Sequence, residues 1–233
     1  MRRKGLVIFL AVLLLVTSPS LAEMVTIGKT DCLLQPAAEE DAMKKYVLFV
    51  GSGDYFHVFR NCGELAAADG ELLIPQGSSE YTLCSAASDE VIKDVWPKLR
   101  LWAEEGYEII LIGYSAGGYP ATALASKLAE EGHTGRLYLL DGIYGAYKGI
   151  HYNEAYYREH LAAWDVTVWA SEDRYVRISE RTRSVGSGLA EDENVAYRQY
   201  ALSHDGMKTL YDVILNGAEA PEPVNPAGDT DGE

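Results

Sequence analysis

Residues 113–117 read Gly-Tyr-Ser-Ala-Gly, a serine with glycine two positions away on either side. A hydroxyl carried on a tight turn can act as a nucleophile if the turn exposes it and a base lies within reach. The glycines matter because such a turn brings the backbones before and after it close together. Five residues of this kind also arise by coincidence, so the flanking sequence carries the weight. Ahead of the turn stands Ile109-Ile110-Leu111-Ile112, apolar and rich in β-branching, and behind it ATALASKLAEE (121–131) has helical spacing. Strand, turn and helix together make Ser115 the candidate nucleophile.

A serine hydroxyl is weak at neutral pH. It needs a base for its proton and a third group to hold that base in one tautomer. Groups of the right type follow later apolar runs, where open sheets of parallel strands build their sites. DVTVWAS (165–171) leads into Glu172-Asp173-Arg174-Tyr175-Val176, and VAYRQYAL (195–202) leads into Ser203-His204-Asp205. Of the five histidines, only His204 falls between the last strand and the last helix. His204 is therefore the expected base and Asp173 the expected acid. Asp141, ending the run before it in Leu140-Asp141-Gly142, is the first alternative, and Glu172 the second.

The elements that must position these groups alternate along the chain. KYVLFVGSGD (45–54), ELLIP (71–75), the run before Ser115, GRLYLLDG (135–142), DVTVWAS and VAYRQYAL read as strands. Helices are expected over 57–68, 88–106, 153–164 and 204–217. In 88–106, Ser88 is a candidate cap, Val91, Val95, Leu99 and Trp102 share one face, and Pro97 should kink or divide the helix. Strands joined through helices pair in parallel by right-handed crossovers. The predicted fold is thus α/β, a mostly parallel sheet of about six strands with helices on both faces.

With the strand order in place, the chain resembles the α/β-hydrolase family, whose triads run nucleophile, acid, histidine. The resemblance covers roughly residues 45–216 and rests on Gly113–Gly117, on the stretch Ala170–Val176 and on His204. It implies a serine hydrolase of esterase or lipase type, without a large cap domain. Members often carry Gly-x-x-Asp-x-x-Val in the acid loop; here Ala170 takes the place of the glycine. Two backbone amides should hold the oxyanion: that of Ala116, and one from the loop after the first strand, Ser52 or Gly53. The His-Gly often found in that loop is absent, and Asp54 stands close by. Some members place the acid where Asp141 lies.

Five tyrosines lie in 143–160. Packing is the expected role for Tyr156 or Tyr157, while Tyr114, Tyr144 and Tyr147 are candidate substrate contacts. No His/Asp/Glu set has metal-ligand spacing, so neither a metal nor another cofactor is expected.

The N-terminal 22 residues read as a cleavable secretory signal: Arg2, Arg3 and Lys4, the apolar run 5–16, then small residues ending at Ala22. Cleavage there removes three positive charges and no acid, taking the net charge from −15 to −18. That length, about 210 residues, suits one domain, expected over 23–216. The acidity disfavours nucleic acid and anionic membranes as partners. No further stretch is expected to span a membrane. GAEAPEPVNPAGDTDGE (217–233), rich in Pro, Gly and acid, is expected to lack fixed structure. Of Cys32, Cys62 and Cys84, the pair 62–84 is favoured for a disulfide in an exported chain, with the other two pairings open.

These features point to an exported serine hydrolase acting on a small or polymer-borne acyl substrate. An acyltransferase or peptidase could use the same groups. A catalytically silent domain that binds a ligand at the cell surface is the alternative from another class.

Overall fold

The computed structural model describes residues 22–39, 41–51, 65–76 and 86–224. Cys62, Cys84, Ser52, Gly53 and nearly all of the N-terminal segment lie outside the described residues, as does most of the helix expected over 57–68. Residues 65–67 of that stretch are not helical.

Six strands form the parallel body of the sheet: β3 (Lys44–Phe49), β4 (Gly70–Gln76), β5 (Glu108–Tyr114), β6 (Gly135–Leu140), β9 (Asp165–Ser171) and β10 (Val195–Tyr200). These are the six read from the sequence. The sheet nevertheless has eight strands: β1 (Glu23–Ile27) and β2 (Thr30–Gln35) extend it, in the order β1-β2-β4-β3-β5-β6-β9-β10. β1 and β2 are antiparallel to each other, and β2 to β4. Gly28, at φ 63°, makes their two-residue turn possible. Residues 23–35 thus form a hairpin that extends one sheet edge. β2 also buries Cys32 completely, and burial pushes its thiol up to about 12, so it stays protonated at neutral pH.

Alternation along the central strands sends apolar side chains to both faces, the mark of a sheet covered on both sides. On one face Val47, Phe49, Leu111, Leu139 and Val168 pack with α1 (Ala86–Glu104), α2 (Gly118–Glu130), α3 (Glu154–His160) and α4 (Arg177–Leu189). On the other, Leu48, Ile110, Ile112 and Trp169 pack with Met207, Leu210, Tyr211 and Leu215 of a 3-10 turn (Asp205–Leu210) and α5 (Tyr211–Asn216). The buried stripe of α1 is the one expected: Val91, Val95, Leu99 and Trp102. The helix begins at Ala86, ahead of Ser88, and Pro97 does not divide it.

Helix α4 has no counterpart in the sequence reading. Its buried face is Ser179, Thr182, Val185, Gly186 and Leu189, too small and polar to register as an apolar stripe. Gly186 explains why it can pack there: a methyl at that position would stand 2.6 Å from the Tyr197 ring and 2.9 Å from Val168. At the other end of the chain, residues 217–224 also depart from expectation. Val224 donates its amide to the Gln199 carbonyl (2.8 Å), a single antiparallel bridge on the free side of β10.

Candidate active site

Ser115 follows β5 in the left-handed region, φ 53°, directly after an extended Tyr114 (φ −102°, ψ 132°). A non-glycine residue there is uncommon and strained, and the surrounding contacts must hold it. They do so through glycines. A methyl on Gly113 would lie 2.6 Å from the Gly118 Cα, and one on Gly117 would overlap the Phe49 carbonyl. Gly118 has no room either, because its methyl would fall on the carbonyl oxygen of Gly142. A methyl on Gly142 would in turn meet the Gly113 carbonyl at 2.5 Å. Gly113, Gly118 and Gly142 thus press the loop after β6 against the elbow. That loop carries Asp141.

His204 follows β10 and opens the 3-10 turn. Its Nε2 lies 2.9 Å from Ser115 Oγ, and its Nδ1 lies 2.9 Å from Asp141 Oδ2. A carboxylate can only accept, so the Nδ1 proton points at Asp141, and Nε2 is left with a lone pair facing the serine hydroxyl. Chemically this is a hydroxyl, a base aimed at it, and an anion fixing the base's tautomer.

The acid facing Nδ1 is therefore Asp141, not Asp173 as the loop pattern led us to expect. Asp141 is wholly buried, at φ 44°. Its oxygens are satisfied by donors: the Ser171 amide to Oδ1 (2.8 Å), and the hydroxyls of Ser171 (2.5 Å) and Ser179 (2.6 Å) to Oδ2 beside the imidazole. A buried carboxylate needs this number of donors to offset its lost hydration. Asp173 is turned to another task. Its Oδ1 accepts from the Tyr175 amide (2.9 Å) and its Oδ2 from the His204 amide (3.2 Å). These two amides hold its carboxyl below the usual carboxylate range. It anchors the histidine's backbone, and Arg183 fixes the same loop by donating to the carbonyls of Ser171 (2.6 Å) and Asp173 (2.9 Å). Glu172 is exposed.

Ser171 and Ser179 were not singled out in the sequence. Ser171 sits at the strand end where the acid loop begins, and its burial at 0% is the trace that β9 delivers a hydroxyl, not a carboxylate, into the site. Ser179 Oγ also comes within 3.2 Å of His204 Nδ1. We expect Ser179→Ala to lower kcat by about tenfold with little change in KM, the scale of one hydrogen bond to a charged group. Steady-state kinetics with any turned-over ester checks this.

Tyr114 is turned inward, beneath the histidine. It is almost fully buried, its ring stacks on the His204 imidazole (centroids 5.1 Å apart, 27° between planes), and its hydroxyl donates to the His204 carbonyl (3.2 Å). Tyr147 is turned away as well: its hydroxyl donates to Asp89 (3.0 Å), as do Tyr119 (2.8 Å) and Lys148. Its ring joins those of Tyr119, Tyr152, Tyr156 and Tyr157 in one edge-to-face cluster over α2. Tyr144 borders a cavity.

For the oxyanion, the Ala116 amide follows the nucleophile directly. Gly51, in the loop after β3, lies against it: a methyl there would meet Ser115 Cβ at 2.5 Å and the Ala116 nitrogen at 2.7 Å. Ser52 and Gly53 come next in the chain but lie outside the described residues. Among the described residues no group of three His, Cys, Asp or Glu could hold a metal, and no helix is long and apolar enough to cross a membrane.

No protein-family model matches the sequence, and no curated protein matches it. Solved structures do. A predicted CIB-like hydrolase from Thermoplasma acidophilum is 13% identical, with a TM-score of 0.52 over 84% of this chain and 97% of that one. An α/β serine hydrolase homologue from Coxiella burnetii is 11% identical, with a TM-score of 0.51 over 85% and 97%. An ester hydrolase from the metagenome of Lake Arreo is 14% identical, with a TM-score of 0.56 over 82% and 79%. The chain has the α/β-hydrolase fold.

Proposed function

We propose that this protein is a serine hydrolase that cleaves a carboxylic ester or related acyl bond through an acyl-enzyme. The observation that carries the reading is His204, with Nε2 at 2.9 Å from a strained Ser115 and Nδ1 at 2.9 Å from buried Asp141. As Ser115 Oγ bonds to the substrate carbonyl carbon, its proton passes to Nε2. Asp141 keeps the imidazolium oriented and stabilises its charge. The carbonyl oxygen becomes an oxyanion held by the Ala116 amide and by a second amide, from Ser52 or Gly53. When the tetrahedral species collapses, the carbon–oxygen bond to the alcohol breaks and the alcohol leaves with the proton from Nε2. Water then repeats the sequence: it gives a proton to Nε2, attacks the acyl carbon, and Ser115 leaves with the proton.

The test is turnover of short p-nitrophenyl esters by wild type and Ser115→Ala. The account expects a loss of about 10⁶-fold in kcat for Ser115→Ala, the scale seen when such a nucleophile is removed. Equal rates for the two proteins would leave only a silent, ligand-binding domain. Export is part of the same proposal, motivated by the basic and apolar segments of residues 1–22. A secreted product whose first residue is Glu23 supports it; an intact N-terminus on a cytosolic product contradicts it.

A further inference from the structure

Beside the acid loop lies a cavity of about 490 Å³, between the hairpin of β7 (Ala146–Tyr147) and β8 (Ile150–His151) and the start of α4. Its walls are contiguous with the site. Ile143 follows Asp141-Gly142 and donates its amide to Thr182 Oγ1 (3.1 Å), and Ile178 precedes Ser179, which bonds Asp141. Tyr144, Gly145, Ala146, His151, Arg177 and Arg181 also line it, and among the described residues no carboxylate does. The two arginines are one helical turn apart, so their side chains share a face.

Two further facts make this composition informative. The chain has 35 acidic residues against 20 lysines and arginines, so a cation on its surface easily finds an acid. Lys44, Arg100, Arg136, Lys148, Arg158 and Lys208 all do. Arg177 and Arg181 do not, among the described residues, and neither do Lys93, Lys98, Lys127, Arg174, Arg183 and Arg198; what sets the two apart is that both line this one cavity, where the Arg181 Nε is buried with no hydrogen-bond partner. A buried guanidinium nitrogen left unpaired is costly.

We propose that this cavity receives an anionic group of the substrate, a carboxylate or a phosphate, with Arg181 and Arg177 as its donors. A planar fork of N–H groups suits either oxyanion and binds it more strongly than a neutral acceptor. The proposal rests on the hydrolase reading above and narrows its substrate to acyl compounds that carry a negative charge close to the scissile bond.

The experiment compares mono-4-nitrophenyl glutarate with its neutral methyl ester in wild type, Arg181→Gln and Arg177→Gln. Inorganic phosphate and monomethyl glutarate are each added as competitors, to separate the two oxyanions. The expected wild-type kcat/KM ratio, charged over neutral, is at least about tenfold, falling toward one in either variant. Arg177 is exposed, so its variant remains informative if Arg181→Gln misfolds. A wild-type ratio near one with no inhibition by either competitor overturns the proposal, as does a ratio unchanged in the variants. Absence of any Ser115-dependent turnover removes the hydrolase reading alone. The cavity is then judged by calorimetry of the two competitors on Ser115→Ala: binding that weakens about tenfold on adding Arg181→Gln sustains it, and no binding sinks it.

Discussion

Asp141→Asn is expected to lower kcat by roughly 10⁴-fold, while Asp173→Asn costs less than about tenfold. The difference follows from which atoms each carboxylate faces. An amide at position 141 can present its NH₂ to Nδ1, which forces the proton onto Nε2 and removes the lone pair aimed at Ser115. The variant protein keeps the Ser171 amide and two hydroxyls as partners, so it should fold. The Asp173 carboxylate faces backbone amides, those of Tyr175 and His204 first, and an asparagine oxygen can still accept from one of them. Because those amides depress the Asp173 carboxyl, its share of stability is complete at neutral pH. That share declines once pH drops below the ordinary aspartate value and is gone when pH has fallen through the depressed one. Steady-state kinetics of the two variants on one ester, with a thermal melt of each, separates the roles. A larger loss in Asp173→Asn than in Asp141→Asn would reverse the assignment.

Gly118→Ala should be the most damaging small substitution outside the reacting groups. Its methyl has nowhere to go: the carbonyl of Gly142 stands in its place, and Gly142 is itself packed on the Gly113 carbonyl. Backbone cannot rotate aside as a side chain would. Forcing a methyl into such a contact costs about 3 kcal/mol, which in a domain of this size lowers Tm by roughly 6–12 °C. Any relaxation must move the Gly142 loop and carry Asp141 away from Nδ1, so activity should fall further than stability alone explains. Gly145→Ala is the control. Its methyl meets only Arg181 side-chain atoms at 3.7 Å and more, an ordinary contact, and Tm should move by less than about 2 °C. A Gly118→Ala protein that melts like wild type would show that the elbow and the acid loop are not locked together.

What could be read in the sequence depended on how local the signal was. The elbow is a local pattern: an apolar run, two glycines and a helical segment all lie within 25 residues, and Ser115 sits where they place it. His204 was legible because it is alone in its topological position. The acid was not, because Asp141, Glu172 and Asp173 all end strands of the same sheet and differ only in direction. That direction is decided by distant partners, Ser171, Ser179 and the stacked glycines, none of which has a spacing signature. The hairpin at 23–35 was missed because its edge strand β1 is largely exposed, and TDCLLQ of β2, though mostly buried, is a short run broken by polar residues. Helix α4 was missed for the opposite reason, since serine, threonine and glycine form its buried face. Tyr114 and Tyr147 looked like substrate contacts by proximity, and proximity in the chain could not reveal that one lies beneath the imidazole and the other reaches back to Asp89.

The central claim is that His204 activates Ser115 under the direction of Asp141. Covalent labelling by a fluorophosphonate, read by intact mass and peptide mapping, tests it most directly, since the reagent reports the activated hydroxyl without any assumption about substrate. The account predicts one adduct per wild-type chain, mapped to Ser115, with labelling lost in Ser115→Ala and His204→Ala and slowed greatly in Asp141→Asn. Labelling that persists in Ser115→Ala, or proceeds at the wild-type rate in His204→Ala, would contradict it.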